Sequence, residues 1–257
     1  MNTYAADDIR SQLAGTPTVV VDPSTPIKPS QWIEFHAQAP SEIGPNGSRT
    51  WINRATNLVL AYTEAKAGDV FTRTGQPDEY TVLMYSDSAP VTVTAGDISE
   101  AVDEEALVVV PPGDSSIEVT GDGVLIRLFS STADDLRENA LNAAAYTEPD
   151  QRTTPLQPWP DPVGGFRLRV YRLAETPIVE GRFGRIFRTT NLMVNFLAEE
   201  PAPRNERKLS PHHHDDFEQI SLAVKGLFRH HIRYPWVRTR PSGVRTRTGR
   251  SPPRRSR

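Results

Sequence analysis

The chain has 257 residues, of which 37% are hydrophobic and 24% charged, with a formal net charge of -3. Its mean hydropathy of -0.48 is that of a globular protein in water, and no run approaches the roughly 18 apolar residues of a membrane span. The absence of cysteine excludes disulfides, thiolate metal sites and cysteine nucleophiles, and it fits a reducing compartment. We therefore expect a cytoplasmic protein with no membrane partner.

The first half of the chain alternates short apolar runs with turn residues, which is typical of β-strands. A short helix is expected within residues 1–15. The strands predicted after it lie at 18–21, 57–62, 79–85, 91–94, 107–110, 116–119 and 124–129. Their β-branched residues predict an all-β fold, an antiparallel sandwich or barrel.

One short helix is predicted between the halves, from about residue 132 to 146, with Asp134 and Asp135 in its first turn. A linker rich in proline follows, which disfavours a helix or a central strand there. Strands are predicted again at 166–173, 185–197, 218–224 and 227–234. The expected units are 1–146, the linker 147–165, a partial second unit 166–236 and an Arg-rich segment 237–257.

The two halves share short sequence matches. The segment RATNLV at 54–59 recurs 134 residues later as RTTNLM at 188–193. Downstream, EYTVLM at 79–84 aligns loosely with EQISLA at 218–223. Two matches in the same order predict a duplicated β unit.

A run of histidines precedes the predicted strand at 218–224. His212 and His214 are two residues apart, so in extended chain they point the same way and can present imidazoles to one ion. Glu218 or Gln219 would supply the third ligand. Imidazole with a carboxylate or amide oxygen suits divalent Fe, Mn, Ni or Zn and leaves positions open for a substrate.

This stretch resembles the first motif of the cupin superfamily, G-x5-H-x-H-x3–4-E-x6-G. His212, His214 and Gly226 match it, and the glycine spacing puts Gln219 at the acidic position, with Glu218 one residue too far away. The leading glycine is absent. The resemblance implies a cupin barrel, also called a jelly roll or double-stranded β-helix, that holds one divalent metal ion.

The first half carries the second cupin motif, P-x-G-x2-H, only in altered form. PPGDSS at 111–116 keeps the turn, but Ser116 replaces the histidine. The alignment of the halves also puts Arg73 and Gly75 opposite the two motif histidines. The resemblance therefore implies a bacterial bicupin: two barrels in tandem, the first without metal ligands and the second incomplete.

The Arg-rich segment 237–257 contains eight arginines and no acidic residue. Little chain remains for the strands and the second motif of the second barrel. We expect a frameshift near Trp236 that truncates a longer bicupin, and the alternative is a genuine disordered basic tail. A nucleic-acid tether is disfavoured, because the rest of the chain is acidic and the segment has no aromatic residue for stacking.

The resemblance implies a metal-dependent dioxygenase, isomerase or decarboxylase acting on a small organic substrate. The alternatives are a non-catalytic small-ligand binding or regulatory protein and an inactive truncated remnant, since a fold does not choose among activities. A homodimer is one assembly that the sequence allows. Because G-x-S-x-G, G-x-x-x-x-G-K-[ST] and G-x-G-x-x-G are all absent, a hydrolase triad and nucleotide binding have no support.

Overall fold

The computed structural model describes residues 28–148, 150–180, 184–199, 202–203, 205 and 218–232, together with the backbone of 245–250. It is mostly β-strand with one short α-helix. The strands up to residue 148 are β1 (Glu42–Ile43), β2 (Arg49–Arg54), β3 (Leu58–Ala65), β4 (Val70–Gln76), β5 (Tyr80–Met84), β6 (Val91–Ala95), β7 (Ile98–Val102), β8 (Ala106–Val110), β9 (Gly113–Val119) and β10 (Gly123–Ser130). The later strands are β11 (Arg169–Arg172), β12 (Arg185–Arg188), β13 (Met193–Phe196), β14 (Leu227–Ile232) and β15 (Arg245–Arg250).

Six strands predicted for the first half are confirmed within a few residues: β3, β5, β6, β8, β9 and β10. The structure adds β1, β2, β4 and β7, which the sequence did not predict. Two of these, β4 (VFTRTGQ) and β7 (ISEAV), are too polar to form an apolar run. The predicted helix within 1–15 and the predicted strand at 18–21 lie outside the described residues.

Two antiparallel sheets face each other, as in a jelly roll. One has seven strands in the order β1-β2-β3-β10-β5-β8-β11, and the other has four in the order β4-β9-β6-β7. Alternate residues of both sheets point inward and form the main core, where the rings of Tyr80 and Phe129 stack with centroids 4.7 Å apart. We call this two-sheet unit the first barrel.

The helical segment after β10 is shorter than predicted. The α-helix, α1, spans only Asp134–Glu138, and a separate 3-10 turn spans Ala143–Tyr146. Between them, the side chain of Asn142 accepts the backbone N–H of Arg54 at 2.9 Å and donates to its carbonyl oxygen at 2.8 Å. These two bonds hold the chain against the end of β2, so the helix does not continue.

The outer face of the seven-stranded sheet is covered as well as its inner face. Side chains from the second half of the chain pack on it in two clusters. The first cluster joins Trp51, Leu60, Tyr62, Tyr85 and Ile126 to Ile220, Leu222 and Val224. The second joins Leu107 and Val109 to Leu173, Phe187 and Val194. Because both faces are buried, the central strands are almost continuously apolar, as in β8 (ALVVV).

The second half is less regular than predicted. Strand β11, assigned from sequence to the partial second unit, pairs with β8 at the end of the first barrel's larger sheet. The strand predicted over 185–197 is the hairpin β12–β13. The strand predicted at 218–224 is wrong, because these residues form no regular secondary structure and pack through their side chains on the first barrel. A second closed barrel stays a prediction.

The hairpin β12–β13 repeats the hairpin β2–β3. Arg54 lies opposite Val59 in the first hairpin, and Arg188 lies opposite Met193 in the second, 134 residues later in both strands. Each turn is closed by an equivalent backbone hydrogen bond of 2.8 Å. The sequence repeat therefore corresponds to a repeated hairpin with the same register.

Strand β14 pairs with β15, which belongs to the Arg-rich segment. The rest of that segment and Trp236 lie outside the described residues, so the frameshift and the disordered tail stay predictions. Within the described part of the chain, no helix is long and apolar enough to cross a membrane.

Candidate functional site

The metal site predicted in the second half is described only in part. His212 and His214 lie outside the described residues, and their role stays a prediction. Gln219 is exposed and Glu218 is half-buried. Among the residues that the structure describes, no three His, Cys, Asp or Glu side chains are placed to hold a metal ion.

Glu218 joins the two halves of the chain. Its two carboxylate oxygens accept the backbone N–H of Thr56 at 3.0 Å and that of Asn57 at 2.6 Å. Glu79, its counterpart in the sequence repeat, accepts the backbone N–H of Thr190 at 2.9 Å. Thr56 and Thr190 are 134 residues apart, in equivalent hairpin turns, so each half caps the turn of the other with a carboxylate. With both oxygens engaged, Glu218 does not fit a metal ligand.

In the first barrel, other residues occupy the positions where the cupin motifs place metal ligands. Arg73 and Gly75 lie on β4, and Gly75 has a φ of 58° that suits glycine. The alignment matched Ser116 on β9 to the histidine of the second motif, but the neighbouring Ser115 is the side chain that points inward. The Oγ of Ser115 lies 3.0 Å from the hydroxyl of Tyr80. These residues do not fit a divalent metal, because a guanidinium repels a cation and the two hydroxyls are weak ligands.

Arg73 is fully engaged by its neighbours. Its Nη1 and Nη2 donate to the two carboxylate oxygens of Asp135 at 2.5 and 2.9 Å, and its Nε donates to Gln76 at 2.9 Å. The hydrogen bond from Arg73 lowers the pKa of Asp135. This arginine therefore fixes the start of α1 to β4 and has little capacity left for a ligand.

A second arginine, Arg127, points into the first barrel from β10. It lies on the same face of the strand as the inward residues Leu125 and Phe129, and it is 6% exposed. Among the described residues no carboxylate pairs with it: Nη2 donates to the hydroxyl of Thr63 at 3.4 Å, and Nε has no partner. The guanidinium lies over the ring of Phe71, 4.3 Å from its centroid.

Burial lowers the pKa of Arg127. Loss of solvation lowers the pKa of its guanidinium to about 10, the charge of Arg73 adds to this, and Tyr80 and Glu42 oppose it. A cation placed in the protein interior without a partner costs several kcal/mol of folding free energy. An anion bound beside Arg127 would recover part of that energy.

The side chains around Arg127 include groups that could contact a small anion. Two aromatic rings, those of Phe71 and Phe129, belong to the barrel interior, and hydroxyl groups of Thr63, Tyr80 and Ser115 are nearby on inward positions. Burial raises the pKa of Tyr80, so its hydroxyl keeps its proton and remains a hydrogen-bond donor. A guanidinium with a free edge binds a carboxylate or phosphate through two parallel hydrogen bonds.

Sequence reasoning missed Arg127, although a signal was present. The segment VLIRLF at 124–129 is apolar on both sides of the strand, with a single charge at an inward position. A fully buried arginine is rare unless it is paired. The combination of a strand buried on both faces and one inward charge would have marked Arg127 as a binding residue.

No protein-family model matches the chain, and no curated protein matches it. Solved structures do match. KdgF from a Halomonas species has a TM-score of 0.36 and 14% identity, covering 41% of this chain and 99% of that one. An RmlC-like cupin from Shewanella frigidimarina has a TM-score of 0.34 and 18% identity, with coverages of 41% and 96%.

A longer part of the chain matches a larger protein. The salicylate 1,2-dioxygenase of Pseudoaminobacter salicylatoxidans, in complex with gentisate, has a TM-score of 0.30 and 14% identity. The match covers 56% of this chain and 31% of that protein. Scores and identities this low carry no argument about activity, so the function is argued from the residues of the site.

Proposed function

We propose that the first barrel binds a small organic anion through Arg127, without a metal ion, and that the chain is a small-ligand binding protein. The observation that carries the proposal is the buried guanidinium of Arg127, which no carboxylate of the described residues neutralises. Buried charges in proteins are paired or bind a charged ligand. A carboxylate or phosphate is the partner that this cation requires.

The ligand is expected to be small and to carry an apolar or aromatic part. The side chains that form the core around Arg127 are mostly apolar, and Phe71 lies directly against the guanidinium. A planar carboxylate can bond the free edge of the guanidinium while its carbon part contacts the rings. Small monocarboxylates therefore fit the site better than extended polyanions.

Binding can be tested by calorimetric titration of the full chain with a panel of small aliphatic and aromatic monocarboxylates, in buffer containing a chelator. We expect saturable binding that the chelator does not change. Arg127→Met should weaken it by about tenfold to a hundredfold, because a charge-assisted hydrogen-bond pair is lost in a buried site. The matched control is Arg49→Met, an exposed arginine of β2 whose removal should leave affinity unchanged. Equal affinity of Arg127→Met and the wild type would refute the proposal.

The metal-dependent enzyme implied by the cupin resemblance is the second candidate. One observation favours it: Gly226 has a φ of 86°, a backbone conformation that favours glycine, at the position that the resemblance matches to the last glycine of the motif. The residues left to hold the metal are His212, His214 and Gln219, since Glu218 is engaged elsewhere. A metal ion bound there would supply Lewis-acid or oxygen-activating chemistry.

This candidate predicts a divalent metal in the purified protein, measured by plasma mass spectrometry after dialysis. The double variant His212→Ala/His214→Ala should lose the metal, because two imidazole ligands are removed, while Arg127→Met should keep it. Equal metal content in the wild type and the double variant would contradict the assignment. The same variants separate the two candidates, since the histidine double variant should bind the organic anion normally.

A further inference from the structure

A second arginine of the first barrel points toward the same interior as Arg127. Arg73 alternates along β4 with exposed residues and shares its inward face with Phe71, which packs against the main core. The guanidinium carbon of Arg73 lies 5.4 Å from the ring centroid of Phe129, a residue of the same core. Burial raises the pKa of the Tyr80 hydroxyl, and the charges of both arginines oppose that rise. The two cations therefore act on one hydroxyl of the barrel interior.

The carboxylate that holds Arg73 lies at the rim of the barrel. It belongs to Asp135 of α1 and accepts hydrogen bonds from both Nη groups of Arg73. The side chain of Asp135 is 62% exposed, whereas that of Arg73 is 13% exposed. Ion pairs with an exposed partner contribute little to stability, so a competing carboxylate can replace that partner. Asp135 thus neutralises an interior cation through a contact that is open to exchange.

The residues on either side of Asp135 have other partners. Leu136 is 8% exposed and belongs to the main core, so α1 keeps an apolar anchor when the ion pair is broken. Asp134 contacts Arg137 of the same helix at 2.9 Å. The two acids of this turn therefore differ in their partners, an arginine of the barrel interior for Asp135 and an arginine of the helix for Asp134.

We propose that Arg73 is a second anion-binding residue of this site, and that Asp135 occupies it until a ligand carboxylate takes its place. The inference rests on the proposed anion site at Arg127. A carboxylate bound at Arg127 can accept hydrogen bonds from the Nη groups that Asp135 releases. Because this inner position is less solvated than the rim, its attraction to a guanidinium is stronger there. Ligand binding and opening of the contact between Arg73 and Asp135 are therefore one event.

The test is calorimetric titration of the full chain with acetate, butyrate and benzoate. Asp135→Asn keeps the size of the side chain and removes its charge. It should raise the affinity by about threefold to tenfold, because the ligand no longer has to displace a carboxylate. The matched control is Asp134→Asn, which removes the same charge from the same turn and should bind like the wild type.

A double-mutant cycle separates this competition from a general effect of charge. The double variant Arg73→Met/Asp135→Asn should bind like Arg73→Met alone, because Asp135 acts only through Arg73. A long-range charge effect would leave the gain from Asp135→Asn in place. The melting temperature of each variant shows that it is folded under the conditions of the titration.

A crystal structure with the acid that binds most tightly gives a second readout. The Nη groups of Arg73 should contact the ligand carboxylate and no longer that of Asp135. An Arg73–Asp135 contact that persists beside the bound acid would overturn this inference. Equal affinities of Asp135→Asn and Asp134→Asn, with Arg127→Met still weakened, would do the same and leave the proposed function standing. Equal affinity of Arg127→Met and the wild type, or no binding by the wild type and Asp135→Asn, would refute both.

Discussion

Replacing Arg127 with methionine is expected to raise the free energy of unfolding by about 1 to 3 kcal/mol while it removes anion binding. Methionine is similar in length and needs no hydrogen-bond partner. The lost contacts are one long hydrogen bond to Thr63 and the cation–π contact with Phe71, which together are weaker than the cost of burying an unpaired charge. A gain in stability coupled to a loss of binding is the signature of a binding residue.

The measurement is urea unfolding of the ligand-free protein, compared with Arg49→Met as the surface control. The pH dependence gives an independent check. Because the folded-state pKa of Arg127 is lowered to about 10, below its ordinary value, the unfolded state binds the proton more tightly. Stability should therefore rise as pH increases above about 10, and Arg127→Met should lack this rise. A variant less stable than the wild type would mean that Arg127 has an internal partner.

Replacing Glu79 with alanine is expected to lower the free energy of unfolding by about 3 kcal/mol. Glu79 is 1% exposed, and its Oε2 accepts both the N–H of Thr190 at 2.9 Å and its hydroxyl at 3.3 Å. Its Oε1 lies 3.7 Å from Nη1 of Arg169. Alanine leaves the buried N–H of Thr190 without its acceptor and removes the carboxylate beside Arg169, so the β12–β13 hairpin should be released from the first barrel.

Chemical unfolding and limited proteolysis of the β12–β13 region measure this effect. Glu79→Gln keeps a carbonyl acceptor for Thr190 and should lose less stability. Glu218→Ala, the reciprocal change, should lose about 1 kcal/mol, because Glu218 is only half-buried. Glu118→Ala, an exposed residue of β9, is the control. Equal stabilities of Glu79→Ala and Glu118→Ala would show that the reciprocal carboxylates do not hold the halves together.

Much of the fold was predictable where a strand carries a run of apolar residues. Strands β3, β5, β8 and β10 carry apolar runs because the larger sheet is covered on both faces. Strands β4 and β7 were missed because neither carries a run of apolar residues. β4 has two apolar and four polar residues beside a glycine, β7 mixes three apolar with two polar residues, and pairing with β9 and β6 defines them.

The segment 218–224 shows why the same reasoning gave a false strand. Ile220, Leu222 and Val224 alternate with polar residues, as a half-buried strand would. The alternation is real, but it reflects side chains inserted against Trp51 and Tyr62 on the outer face of the larger sheet. A period of two reports which side of an extended chain is buried, and it does not report backbone pairing.

The candidate site was predictable in part. The sequence alignment put Arg73, Gly75 and Ser116 at the cupin motif positions of the first half, and a first barrel without metal ligands stays a prediction. On β9 the inward side chain is that of Ser115, next to the Ser116 that the alignment matched to the motif histidine. No motif marks Arg127, and its signal in the sequence is a single charge within the apolar segment 124–129. The absence of a carboxylate partner among the described residues is a property of the folded barrel, so the sequence alone did not reveal it.

Side chains from both halves of the chain pack on the larger sheet, and this affects how the protein unfolds. Amide groups in β3, β10, β5 and β8 can exchange with solvent only when packing on both faces is lost. The two halves should therefore lose structure in one cooperative step, and the amides of these strands should exchange only through that global opening. Cleavage of the Pro-rich linker would leave two fragments that still pack together on the larger sheet. The linker therefore separates the halves in sequence without making them independent in stability.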